Sequence, residues 1–193
     1  MRVVARTVTL GALLALLAAP ATARAEGYVN PYIGTNFGNN SGNGRAAFGV
    51  SGGYMGAGAI GAEVDAGWHP SFFGNQGDFG SNYVFDLMGN LIVGAPIGGT
   101  HGWGVRPYAT VGVGLIRSQY SVGPAATPAG SVLVHNNDVG MNVGAGVMGF
   151  ANNHVGVRGD VRYFRNFDDN SVIHDINFGA MHFWRASFGI LLR

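Results

Sequence analysis

The chain has 193 residues, 34 of them glycine, with no cysteine, no lysine and only 11% charged side chains. Without cysteine, disulfide staples and thiolate metal sites are excluded. A formal net charge of +1 carried by scattered arginines leaves no basic patch for nucleic acid.

Residues 1–25 have the layout of a secretory signal peptide. Arg2 and Arg6 form the positive start, Leu10 to Leu17 the apolar run, and Ala23-Arg24-Ala25 an Ala-x-Ala site with cleavage expected before Glu26. The run is too short to cross a bilayer comfortably as an anchor. Its removal leaves residues 26–193 as one domain with 8 arginines against 10 carboxylates, a net charge of −2. No later run is long and apolar enough for a second helical span.

Period-2 alternation then marks eight strands and no helix. In the first, Tyr28 to Phe37, the residues Val29, Ile33, Thr35 and Phe37 oppose Asn30, Tyr32, Gly34 and Asn36. A polar loop, Gly38 to Arg45, leads to the second, Ala46 to Met55, where Phe48, Val50 and Tyr54 oppose Gly49, Ser51 and Gly53. Gly56-Ala57-Gly58 turns tightly into the third, Ala59 to Ser71. There Ile60, Ala62, Val64, Ala66, Trp68 and Pro70 share one side, and Gly61, Glu63, Asp65, Gly67, His69 and Ser71 the other. After a polar loop, the fourth strand, Tyr83 to Ala95, sets Phe85, Leu87, Leu91 and Val93 against Asp86, Met88 and Asn90. The fifth, Val105 to Arg117, sets Val111, Val113 and Leu115 against Arg106, Tyr108 and Thr110. Ser118 to Asn137 is the longest irregular segment. The sixth, Asp138 to Phe150, turns at Asn152-Asn153 into the seventh, Val155 to Phe167, whose inner set is Arg158, Asp160, Arg162 and Asn166. Val172, Ile173 and Ile176 could prolong a strand in the next loop. The eighth, Met181 to Arg193, sets Trp184, Ala186, Phe188, Ile190 and Leu192 against Arg185, Ser187 and Gly189.

Connections after the first, third, fifth and seventh strands are long and polar; the others are mostly shorter. That asymmetry belongs to transmembrane barrels, as do about ten residues per strand. The two faces agree. The apolar face meets charge only at Arg117, Arg165 and His182, all near long-loop ends, where head groups can accept them. The other face collects Glu63, Asp65, Asp86, Arg106, Arg158, Asp160, Arg162 and Arg185, four acids against four arginines. A soluble barrel would invert this pattern, and 11% charge could hardly coat its exterior. The expected fold is therefore an all-β, eight-stranded, antiparallel up-and-down transmembrane β-barrel. The eight polar-face charges are expected to plug its lumen as an ion-pair network. Phe37, Phe48, Trp68, Phe72, Tyr83, Phe85, Tyr163 and Trp184 are expected to ring its outer rim as an aromatic girdle.

Three stretches carry a resemblance. Gly156-Val157-Arg158-Gly159-Asp160-Val161-Arg162-Tyr163-Phe164 resembles the penultimate strand of the small outer-membrane β-barrel domain family. Phe183-Trp184-Arg185-Ala186-Ser187-Phe188-Gly189-Ile190 resembles its last strand, and Val29-Asn30-Pro31-Tyr32-Ile33-Gly34 its first. The resemblance implies a barrel of the OmpA/OmpX type in a bacterial outer membrane, in a family mostly without enzymatic activity. Members commonly end in an aromatic residue read by the barrel-insertion machinery, whereas the sequence stops at Leu192-Arg193: either the signal is degenerate or the end is clipped, and insertion efficiency is what that departure touches.

His69-Pro70-Ser71 resembles the His-x-Ser pair of outer-membrane lipid A deacylases. Those enzymes flank it with an arginine and an asparagine, and here Ala66 and Phe72 stand in those places. A proline-closed strand end explains the tripeptide without catalysis. His69, His101, His135, His154, His174 and His182 lack ligand spacing, so no metal is expected. Pairs such as Gly112-x-Gly114 lack the strand-loop-helix setting of a phosphate cradle. The sequence thus points to a monomeric, non-catalytic barrel without a cofactor. Its partners would be outer-membrane lipids, lipopolysaccharide and the insertion machinery, and its contact surface the loops, Ser118 to Asn137 above all. A lipid-modifying enzyme, a narrow channel and a soluble periplasmic barrel are the alternatives.

Overall fold

A computed structural model describes residues 25–38, 41, 44–73, 82–98, 102–122, 132–167, 172–173, 176–177 and 181–193. The expected signal sequence lies outside these apart from Ala25. Eight strands form the barrel: β1 (Ala25–Phe37), β2 (Arg45–Gly56), β3 (Ile60–Pro70), β4 (Asn82–Gly94), β5 (Gly104–Val122), β6 (Val132–Phe150), β7 (Val155–Asn166) and β10 (His182–Leu192). Every neighbouring pair is antiparallel, and β1 closes on β10 in the order β1-β10-β7-β6-β5-β4-β3-β2.

The register sets the tilt. The row Thr35, Ala186, Val161, Ala145, Ala109, Val93, Ile60, Gly56, Ala25 passes once round the barrel and returns to β1 ten residues from where it began. Ten residues of rise over eight inter-strand spacings tilt the strands by about 40°, the range that closes a barrel of this size.

One end carries two short turns, after β2 and β6, and the longer connection over residues 95–103. In Gly56-Ala57-Gly58-Ala59 both central residues are left-handed, with φ 48° at Ala57 and 71° at Gly58. Ala59 N–H donates to the Gly56 carbonyl at 3.0 Å. Left-handed residues at both positions match the twist of the flanking strands. Between β6 and β7, Asn152 Oδ1 accepts from the backbone N–H groups of His154 and Val155 at 2.8 and 2.9 Å, a side chain standing in for a turn carbonyl. The other end carries the long connections.

Three local expectations change. β5 and β6 run to Val122 and from Val132, so Ser118 to Val122 and Val132 to Asn137 are paired strand rather than loop. The β6–β7 ladder stops at Gly140↔Asn166, so the hairpin outruns its β7 neighbour. Beyond the membrane, pairing rests on backbone hydrogen bonds and needs no apolar face, which is why alternation underestimates it. Val172–Ile173 and Ile176–Asn177 form a separate two-stranded hairpin, β8 and β9, rather than extending β7. Phe72 is fully buried rather than part of the girdle. Ser71 adopts φ 52°, and this left-handed residue breaks the alternation that would have turned Phe72 outward.

Candidate functional site

Alternation places the charges. On β3, Glu63, Asp65 and His69 point inward; on β7, Arg158, Asp160 and Arg162 do so; Asp86 comes from β4 and Arg185 from β10. Glycines clear the space they need. A Cβ on Gly67 would collide with the Asp86 carboxylate and the Arg185 guanidinium.

The contacts form one connected chain. Glu63 accepts from Arg158 Nη1 in a very close pair, from Arg162 Nη2 at 2.8 Å and from the Tyr28 hydroxyl at 2.7 Å. Asp160 accepts from Arg158 Nε and Arg162 Nη2, both at 3.1 Å, from Tyr108 at 2.6 Å and from Ser187 at 2.7 Å. Asp65 accepts from Arg185 Nη2 at 3.0 Å and from Tyr32 at 3.1 Å, with Arg162 Nη1 at 3.7 Å. Asp86 lies 3.6 Å from Arg185 Nη1 and 2.6 Å from His69 Nε2. The guanidinium carbons of Arg158 and Arg185 also stand over the rings of Tyr108 and Tyr32, each 4.7 Å from the centroid.

Seven of the eight expected charges meet in this network. Arg106 stands apart. It pairs with Glu26 at 3.2 Å near the short-turn end, where Glu26 also meets Arg193 at 2.8 Å. Arg106 stands in an apolar layer of Tyr28, Met55, Ile92, Tyr108, Met148, Phe150 and Leu191, its Nη1 3.4 Å from Met55 Sδ and its guanidinium carbon 5.2 Å from the Phe150 ring centroid. A second apolar layer, Phe72, Val84, Met88, Ile116, Phe164, Met181 and Phe183, covers the network from the long-loop side. The lumen is thus ionic in the middle and stoppered at both ends.

Sequence reasoning missed His69 as the partner of Asp86, and Tyr28, Tyr32 and Tyr108 as hydrogen-bond donors. Their inward parity was the available signal. The same inward turn sets His69 against Asp86. Its imidazole is buried, with ring centroids of Phe72 and Phe183 at 6.1 and 5.6 Å.

Outside, Phe37 stacks on Trp184 at 6.4 Å, Trp184 touches Tyr163 at 5.1 Å, and Phe48 meets Trp68 at 6.5 Å. Phe85 is the register partner of Trp68, and the Tyr83 hydroxyl donates to Gln119 Oε1 at 2.9 Å. These seven aromatics form a band over β7, β10 and β1 to β4. Trp103, 73% exposed at the short-turn end, lies outside it. Along the outer wall Ile33, Val50, Val64, Leu91, Val111, Val143, Val157 and Ile190 are all exposed.

A protein family described as "Outer membrane protein beta-barrel domain" matches residues 9–183. Neisserial surface protein A, NspA, superposes with a TM-score of 0.63 at 17% identity, over 87% of this chain and 97% of that one. The N-terminal β-barrel domain of Pseudomonas aeruginosa OprF gives 0.54 at 14%, over 88% and 97%. Ail, the attachment invasion locus protein of Yersinia pestis, gives 0.52 at 11%, over 89% and 100%. At these identities the likeness is one of fold. No curated protein matches the sequence significantly.

Proposed function

Because the chain belongs to the outer membrane protein beta-barrel domain family, and with it to the bacterial outer membrane, we propose that it is a non-catalytic integral barrel. It stabilises the envelope and offers its long connections to the outside, after export through a cleaved leader ending at Ala25. The observation that carries this reading is the stoppered lumen. An ionic layer with each carboxylate held by an arginine, closed above and below by apolar side chains, is built for rigidity rather than for passage.

The enzymatic alternative needs an accessible acid, base and nucleophile. His69 already holds Asp86 inside the wall, shielded by Phe72 and Phe183, so an acyl chain lying outside the barrel does not reach it. Planar-bilayer recording on the purified protein tests the main reading. The expected trace shows no discrete conductance steps; steady openings would overturn the stoppered lumen and favour the channel. Lipid A from cells expressing the protein should keep its acyl pattern, and deacylation lost on Ser71→Ala would establish the enzyme instead.

A further inference from the structure

The barrel exterior is electrostatically lopsided. Among the described residues every carboxylate, Glu26, Glu63, Asp65, Asp86, Asp138 and Asp160, belongs to the inward set of its strand. Two guanidiniums face outward, Arg117 on β5 and Arg165 on β7, and both are exposed. The ion pairs of the described residues lie inside the barrel or at its short-turn mouth, so neither arginine has a carboxylate there.

Their placement is coordinated. Arg117 faces Asn137 across the ladder and Arg165 faces Met141, four residues further along β6. The slope that moves a register row ten residues per circuit of eight strands makes up about 2.5 of those four over two strand steps. The α-carbons of the two arginines therefore stand within about 5 Å of one height and about 16 Å apart along the perimeter, a gap their long side chains can narrow. Between them β6 presents Asn137, Val139 and Met141 outward, a neutral floor. This arc is also where the aromatic band lapses, since the described outward positions of β5 and β6 hold no aromatic residue. His182, the register partner of Arg165, and exposed His135 flank the same end.

Resting on the lipid-facing reading above, we propose that Arg117 and Arg165 form a docking site for an anionic lipid whose head group carries two phosphates, one to each guanidinium. Arginine suits this role because its planar fork matches phosphate oxygens bidentately and it stays charged at any ambient pH. The apolar wall below the arc, with Val111, Val113, Leu115, Val139 and Val143 exposed, accepts the acyl chains.

The test uses the protein refolded into phosphatidylcholine vesicles that contain diphosphoryl or monophosphoryl lipid A as a minor component. Insertion is read by mobility of the unboiled protein on a denaturing gel. Lipid A retained per barrel is read by native mass spectrometry after extraction. The parent should retain the diphosphoryl form about tenfold more strongly than the monophosphoryl form. The Arg117→Gln/Arg165→Gln variant should lose that preference while inserting normally, and the Arg117→Lys/Arg165→Lys variant should keep part of it. Equal retention of both lipids by the inserted parent, or undiminished preference in the glutamine variant, overturns the site and leaves the barrel reading intact. A parent that never enters the vesicles overturns the lipid-facing reading and this site with it.

Discussion

At the residue scale, Glu63 concentrates the cost and the benefit of a charged interior. Its two oxygens are shared among Arg158, Arg162, Tyr28 and Asn90, all buried. Burying an ion pair gains little over an apolar pair of the same shape, but deleting one partner strands the other. Arg158→Ala leaves Glu63 and Asp160 each short of a guanidinium and should destabilise the barrel by about 3–5 kcal/mol. The measurement is the urea midpoint in vesicles, and a midpoint equal to the parent's would refute a dry network. Because the pairs are shielded from solvent, the difference should persist at high salt, where exposed pairs are screened. Inward parity placed the eight expected charges on the inner face, where all are buried, and passed over Glu26 and Asp138, which share it. It could not separate Arg106 from the rest, because a strand pattern has no depth coordinate until neighbouring strands are aligned.

At the element scale, β5 and β6 differ from the other strands. Each has 19 residues against 11 to 13 elsewhere in the barrel. Past Gly140 the β6 ladder with β7 closes on the Phe167 N–H, which donates to the Val139 carbonyl at 2.9 Å, and on Asp138, which accepts from Asn166 Nδ2 at 3.1 Å. The projecting tip therefore contributes little to closure. Replacing residues 120–134 by a short turn should leave a barrel that still folds, with an unboiled gel mobility as compact as the parent's. Loss of folding would mean that the tip nucleates β5–β6 pairing. Broken alternation and the intervening Pro124 and Pro128 concealed these extensions in the sequence, because strand pairing rests on backbone hydrogen bonds and does not require alternating side chains.

For the whole molecule, closure is the main source of persistence. Every barrel strand has two hydrogen-bonded neighbours, so the barrel offers no edge from which to unravel. The protein should therefore sit in the outer-membrane fraction and migrate differently boiled and unboiled on a denaturing gel. A soluble protein whose mobility is indifferent to boiling would remove the lipid-facing assignment.

Period-2 alternation determined the eight barrel strands and their two faces, and the scarcity of charge, 11% of the chain, then assigned the apolar face to lipid. The faces follow from local geometry, since successive side chains on a strand must point to opposite sides. Only the tertiary structure decided which inward residues meet. The ten-residue shear brings Glu63 of β3 against Arg158 and Arg162 of β7, while Arg106 of β5 falls to the short-turn mouth. It also brings Arg117 and Arg165 to one height outside. Phe72 shows the remaining limit: one left-handed residue at Ser71 reversed its face, and backbone sign at a single serine is not written in an alternating pattern.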